Sequence, residues 1–238
     1  MRIAMWSGPR NLSTAMMYSF AARPDFTGMD EPFYACYLQK TGLKHPMRAE
    51  VLAAQSTDPD DVIAQLLAAA PPTRPHIYQK HMTQHMVPGI PRDWFDQVRH
   101  VFLIRHPIRV AASFGAKYED PTLEDLGFLQ QVEIYQEVCA MGIAPIVIDS
   151  TDIRRDPEGA LKGLCGALAL NWEPSMLGWP SGGHPSDGIW AAHWYGAVHR
   201  STGFAGAEAE MPQLGGTLAE LAAQALPSYQ KLAAVKLG

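Results

Sequence analysis

Ile3-Ala4-Met5-Trp6-Ser7-Gly8-Pro9-Arg10-Asn11-Leu12-Ser13-Thr14 runs from a short apolar stretch through a polar turn into Ala15-Met16-Met17-Tyr18-Ser19-Phe20-Ala21. Ile3 to Trp6 reads as a strand and Leu12 to Ala21 as a helix ended by Arg23-Pro24, the opening unit of a parallel sheet covered by helices. The same alternation recurs downstream. A short strand is expected at Phe26 to Met29. His76 to Lys80 follows the breaker Pro71-Pro72-Thr73-Arg74-Pro75, and His100 to Ile104 carries Val-Phe-Leu-Ile, the continuous apolar run of a strand buried on both faces. Ala144 to Ile148 supplies another strand after a helix from about Leu123 to Ala140, and Asp156-Pro157 opens a helix to Leu170 with an N-cap Asp and Pro at the first helical position. The fold class is therefore α/β, a three-layer sandwich around a central parallel sheet.

Two stretches depart from the alternation, Tyr34 to Pro75 and everything after Trp172. In the second, Gly178 to Phe204 is rich in Gly, Pro, Trp and His and reads as a long ordered loop over the sheet. With 238 residues and 47% hydrophobic content, one core and one domain over 1–238 are expected, with cap segments at about 33–75 and 115–135 and a lid loop at about 178–204. A formal charge of −5 and the lack of any polybasic tract argue against nucleic acid as a partner, so an anion site has to be built locally. Cys36, Cys139 and Cys165 are odd in number and widely spaced, which fits reduced core thiols in the cytoplasm and neither a disulfide framework nor a zinc site. The apolar start is too short for a secretory segment or a membrane span, so no membrane partner is expected.

Ser7 to Thr14 lies where a strand passes into a helix, so backbone N–H groups and the helix dipole favour an anion, Ser13 and Thr14 offer hydroxyls, and Arg10 adds a positive charge. A plain strand-to-helix turn with Ser13 as helix cap is the alternative. The Gly-Lys-Ser/Thr ending of a Walker A loop is absent. Farther on, Val101-Phe102-Leu103-Ile104-Arg105-His106-Pro107-Ile108-Arg109-Val110-Ala111-Ala112-Ser113 puts Arg105 at the carboxyl end of a strand and Ser113 two turns into the next helix. Ligands of open parallel sheets gather at such strand ends.

Together these segments resemble the sulfotransferase family that uses 3′-phosphoadenosine 5′-phosphosulfate (PAPS). Pro9, Arg10, Ser13 and Thr14 match its Pro-Lys/Arg-x-x-Thr/Ser-Thr loop for the 5′-phosphosulfate, with Asn11 inside that loop; Arg105, Pro107 and Ser113 match its Arg-x-Pro-x-x-x-x-x-Ser element for the 3′-phosphate. The resemblance spans roughly the first 170 residues. It implies a P-loop-containing nucleoside triphosphate hydrolase-like (sulfotransferase) fold, an adenosine nucleotide as donor with adenosine 3′,5′-bisphosphate (PAP) as product, a small-molecule acceptor, and no metal requirement. Lys80 resembles the family lysine that touches the transferring group. The base remains open on three residues. Cytosolic members carry Lys-x-His, whereas Lys80-His81-Met82-Thr83-Gln84-His85 places His81 one position early, on the site side only if the strand ends at Lys80. Glu31, in Asp30-Glu31-Pro32-Phe33, resembles the Glu of bacterial carbohydrate sulfotransferases; a residue before Pro is expected to be extended. His85 is the third. Arg200-Ser201-Thr202-Gly203 is a partial counterpart, without the lysine, of a late Arg-Lys-Gly element against the 3′-phosphate. Phe33, Tyr34, Tyr37, Met82, Met86 and Tyr118 give the acceptor side an apolar or aromatic component, or belong to the core. A phosphate-loop small-molecule kinase and a non-catalytic adenosine 3′,5′-bisphosphate-binding protein are the competing readings.

Overall fold

The computed structural model describes residues 1–116 and 121–238. Its strands are β1 (Arg2–Ser7), β2 (Phe26–Asp30), β3 (His76–Met82), β4 (Arg99–Ile104) and β5 (Ile146–Asp149), all parallel in the order β2-β3-β1-β4-β5. The helix α1 (Ser13–Ala21) follows β1; α2 (Tyr34–Thr41), α3 (Arg48–Ala54) and α4 (Pro59–Leu67) fill the stretch that broke the alternation. Beyond β4 come α5 (Pro107–Gly115), α6 (Leu123–Leu126) and α7 (Phe128–Ala140), and beyond β5 α8 (Ser150–Arg155) and α9 (Pro157–Ala167). The chain ends with α10 (Ala191–Trp194), α11 (Gly196–His199) and α12 (Gly216–Ala233).

The period-2 geometry of a strand sends successive side chains to opposite faces, and β1 is apolar on both. Ile3 and Met5 pack with Met16, Met17 and Phe20 of α1 and Leu161 and Leu164 of α9, whereas Ala4 and Trp6 pack with Leu66 of α4, Ile134 of α7 and Trp94. Each buried aliphatic or aromatic side chain in these two layers contributes roughly 1.5–3 kcal/mol, so the sheet is held from both sides. From β1 the chain turns one way to β2 and β3 and later the other way to β4 and β5, and the loops beyond its carboxyl end diverge.

Strand ends shift by one or two residues, β5 beginning at Ile146 and not Ala144, and four further differences bear on the site or its helices. α1 begins at Ser13 rather than Leu12. β3 continues past Lys80 to Met82, in register with Ser7 of β1. The helix expected from Leu123 to Ala140 is two helices divided at Gly127, whose φ of 71° is left-handed. A side chain there would also meet Thr83 Oγ1 at 2.7 Å, so glycine serves both the bend and the close approach. The helix expected to reach Leu170 stops at Ala167. Residues 178–204 form a loop that contains α10 and α11 and is closed at its base by the antiparallel bridge Gly178↔Gly203. No helix among the described residues is long and apolar enough to cross a membrane.

Candidate active site

A cleft of about 400 Å³ opens beyond the carboxyl ends of the strands. Its floor at β1 is the turn before α1, where Arg10 (φ 62°) and Leu12 (φ 72°) both take left-handed backbone. α1 starts with no side-chain cap, so Ser13 is its first helical residue and not the capping group. The N–H groups that a helix leaves unpaired at its start therefore stand at the cleft, which Ser13, Thr14 and Ala15 line together with Pro9 and Arg10. Gly8 is needed for another reason: a Cβ there would sit 2.4 Å from the carbonyl oxygen of Leu126, at the end of α6. The Asn11 side chain sits apart from those of Pro9 and Arg10. It is buried, its Nδ2 donates to Leu103 O at 3.3 Å, and it anchors the turn to β4 without lining the cleft.

Lys80 lies beside Asp30 in the register of β3 with β2, and Glu31 follows directly. All three are buried. The Lys80 Nζ donates to Asp30 Oδ1 at 2.9 Å, to Glu31 Oε1 at 2.5 Å and to the Tyr195 hydroxyl at 2.6 Å. Burial alone would lower the ammonium's pKa, but the carboxylates of Asp30 and Glu31 outweigh it and raise it, so Lys80 is charged. Burial also pushes Asp30 up, with Lys80 opposing and Glu31 adding to the rise. Glu31 is not extended as its proline neighbour implied: its φ is 38°, fixed by Glu31 N donating to Lys80 O and by its own carbonyl accepting from Tyr34 N and Gln55 Nε2. That backbone turns its carboxylate back toward Lys80 at the cleft wall.

His81 is removed from the cleft by the length of β3. One residue past Lys80 in an unbroken strand, it points to the opposite face, where its ring stacks on Trp6 at 4.5 Å and approaches Trp94 at 5.4 Å. Burial, with smaller contributions from His100 and His85, lowers its pKa to about 3, so it is a neutral core group. His85 does line the cleft. It stacks on Tyr34 at 4.7 Å and Tyr37 at 4.8 Å, sets Nε2 3.9 Å from Glu31 Oε2, and leaves Nδ1 buried with no hydrogen-bond partner among the described residues. Burial first, then His45 and Lys80, hold it neutral. Of the aromatic and apolar residues expected on the acceptor side, Tyr34, Tyr37 and Met82 line the cleft, Phe33 and Met86 are core, and Tyr118 lies outside the described residues.

At the β4 end, Arg10 Nε donates to Ser113 Oγ at 2.8 Å and Arg105 Nη1 donates to Arg10 O at 2.6 Å, so the two segments singled out from sequence meet. The late Arg200-Ser201-Thr202-Gly203 element only partly joins them. Ser201 and Gly203 line the cleft; Arg200 and Thr202 are exposed and do not. Ser201 Oγ accepts from Trp179 Nε1 and donates to Val198 O, which secures the loop. Three residues without an assigned role in the sequence hold the cleft's cations from behind: Asp30 and Tyr195 on Lys80, and Glu208 on Arg105. Asp30 had a signal, a carboxylate ending the strand before Glu31; the other two arrive from the irregular C-terminal part, where no periodicity marks them.

A family model described as a sulfotransferase domain matches residues 1–236. In Arabidopsis thaliana, branched-chain-amino-acid aminotransferase-like protein 1 is 41% identical over 202 residues, and protein 2 of the same name is 37% identical over 231 residues. They cover 85% and 97% of this chain, which spans only 36% and 41% of their lengths. Among solved structures, the sulfotransferase domain of the curacin biosynthetic pathway aligns with a TM-score of 0.56 at 17% identity, covering 93% of this chain and 96% of its own. The sulfotransferase domain of the Synechococcus PCC 7002 olefin synthase aligns at 0.51 and 17% identity, over 97% and 94%. A sulfotransferase from Alicyclobacillus acidocaldarius aligns at 0.53 and 14%, over 73% and 87%. At those identities the likeness is one of fold.

Proposed function

The chain belongs to the sulfotransferase domain family, and from that premise we propose that it moves a sulfuryl group from PAPS to a hydroxyl or amine of a small-molecule acceptor. The observation that carries this is one cleft holding both an uncapped helix start beside Arg10 and the buried Lys80–Glu31 pair. Pro9, Arg10, Ser13 and Thr14 would hold the 5′-phosphosulfate, and Arg105 and Ser113 the 3′-phosphate. In the transfer the acceptor oxygen or nitrogen forms a bond to sulfur as the bond from sulfur to the 5′-phosphate oxygen breaks; the acceptor proton passes to Glu31, and adenosine 3′,5′-bisphosphate leaves. Lys80 neutralises charge building on the bridging oxygen. His85, neutral and stacked between two tyrosines, orients the acceptor, and Tyr34, Tyr37 and Met82 favour one with an apolar or aromatic part. Buried thiols at Cys36 and Cys165 support a reducing compartment such as the cytoplasm.

The aminotransferase in the relatives' names is not brought to this chain. Lys80, the buried lysine of the cleft, is held as an ammonium by two carboxylates, the reverse of the desolvated amine that carbonyl chemistry uses. Calorimetric titration with adenosine 3′,5′-bisphosphate, with ATP and Mg²⁺ as control, tests the donor class, followed by turnover of PAPS with a phenol and an amine acceptor. Metal-independent preference for the bisphosphate together with turnover is expected. Preference for ATP and Mg²⁺ would overturn the proposal; preference for the bisphosphate without turnover by any acceptor would leave a binding protein.

A further inference from the structure

Beside the cleft, one carboxylate sits among three arginines. The Glu208 side chain is only 2% exposed. Its Oε1 accepts from Arg105 Nε at 3.0 Å and Arg154 Nη1 at 3.1 Å and also bonds Arg105 Nη2. Its Oε2 is 2.8 Å from Arg109 Nε and accepts from Thr151 Oγ1 at 3.3 Å. Glu208 is drawn below the usual carboxylate range, because these arginines outweigh the burial that would raise it. Three guanidinium groups around a single negative charge leave an excess of positive charge. A phosphate monoester, with a charge of about −1.5 to −2 and three acceptor oxygens, balances that set better than a carboxylate does.

What holds Glu208 there is the same set of arginines. Residues 205–215 carry no regular secondary structure, and Ala205, Gly206, Ala207, Ala209 and Glu210 around Glu208 are exposed. The segment is further tied by Arg154 Nε to Gly206 O at 2.9 Å and by Arg109 Nη2 to Ala209 O at 2.6 Å. Around Glu208 the strap carries only Ala205, Gly206, Ala207 and Ala209 as apolar residues, which bury little surface, so the attachment of this part depends on the ion pairs and backbone bonds. Arg105 faces both ways, contacting Glu208 on one side and lining the cleft beside Arg10 on the other.

We propose that Glu208 is a built-in stand-in for the donor's 3′-phosphate: it keeps Arg105, Arg109 and Arg154 assembled in the free chain, and the arriving phosphate displaces it and releases strap 205–215. This rests on the donor class proposed above and adds Arg109 and Arg154 to the phosphate-binding residues. Displacement makes affinity depend on the fraction of chains with the strap open, so removing the carboxylate raises affinity by the reciprocal of that fraction, about tenfold if a tenth are open.

Adenosine 3′,5′-bisphosphate and adenosine 5′-phosphate are titrated calorimetrically into the wild-type chain, Glu208→Gln and Glu208→Ala. The bisphosphate should bind both variants about tenfold tighter or more, and the monophosphate should bind all three alike. A wild type that prefers the bisphosphate, with variants no tighter, overturns the displacement and leaves the donor class standing. If only the variants prefer the bisphosphate, Glu208 is a permanent plug, and displacement is again overturned. If no chain prefers it, the donor class itself fails. Should the variants not fold, the wild type alone decides: a glutamate-specific protease should cut after Glu208 or Glu210 faster with saturating bisphosphate than with the monophosphate, and equal or slower cutting overturns the proposal.

Discussion

Tyr195→Phe deletes one oxygen from the middle of the buried charge cluster, and the geometry sets the size of the effect. A phenol has one proton to give and two lone pairs to accept with. Here all three are used. The hydroxyl donates to Asp30, with Oδ2 at 2.8 Å, and accepts from Lys80 Nζ at 2.6 Å and Trp190 Nε1 at 3.0 Å. Bonds to charged partners contribute about 1.5–3 kcal/mol each, and an indole N–H left unpaired in the core costs about 1–3 kcal/mol. Because the three share one atom they do not add fully, and the expected loss is about 3–5 kcal/mol. For a chain of this length that lowers Tm by roughly 10 °C, at about 2–4 °C per kcal/mol. Urea denaturation at pH 7, followed by tryptophan fluorescence and far-UV circular dichroism, measures it. A loss below about 1 kcal/mol would mean that water replaces the hydroxyl and that the C-terminal loop is not fastened through Tyr195.

Three further outcomes are expected. Glu31→Gln lowers turnover by about 10²–10⁴ while bisphosphate affinity is kept, since a general base contributes that much and the amide oxygen still accepts from Lys80; steady-state turnover beside calorimetry checks it, and undiminished turnover would shift the role to His85. His81 is neutral in the folded chain with a pKa of about 3, so below pH 6.5 the unfolded chain takes up its proton first and stability falls as pH drops toward 3, by about 1.4 kcal/mol per pH unit from this residue. In His81→Gln the slope of unfolding free energy against pH should be shallower by about one proton, and equal slopes in denaturation series from pH 7 to pH 4 would show that His81 is not the buried neutral group described. Gly8→Ala forces a Cβ against the Leu126 carbonyl, so the turn and α6 must part, costing about 1–3 kcal/mol and weakening nucleotide binding; thermal denaturation with and without bisphosphate measures both.

The sheet was legible because burial on both faces leaves a mark in composition. Val101-Phe102-Leu103-Ile104 has no polar position, and neither does Ile3 to Trp6, so both strands could be read directly, and for Val101 to Ile104 burial on both faces as well. Strand ends were less legible. His-Met after Lys80 is neither clearly apolar nor a turn signal, and whether β3 ended at Lys80 or Met82 decided whether His81 faced the cleft or Trp6. Gly127 was hidden inside an apolar helical pattern, since periodicity reports a face and not a left-handed residue between two helices. Arg10, Lys80 and Glu31 were singled out because each matches a family element lying close to the carboxyl end of a strand. Tyr195 and Glu208 were not, because they reach Asp30 and Arg105 across 165 and 103 residues from segments whose own order depends on those contacts.

The charge balance of the cleft follows from the same long-range closure. A chain with a formal charge of −5 that buries Lys80 and gathers Arg105, Arg109 and Arg154 around one point faces the cost of desolvation at the lysine and mutual repulsion among the arginines. It meets both with internal carboxylates: Asp30 and Glu31 on Lys80, and Glu208 on the arginines. The cations are thereby fixed in place before any ligand arrives. Part of the reorganisation that a flexible lysine or arginine would undergo on binding is already complete. On the displacement proposed for Glu208, donor binding becomes an exchange of anions. Its affinity then depends on how much better the 3′-phosphate satisfies Arg105, Arg109 and Arg154 than the Glu208 carboxylate already does.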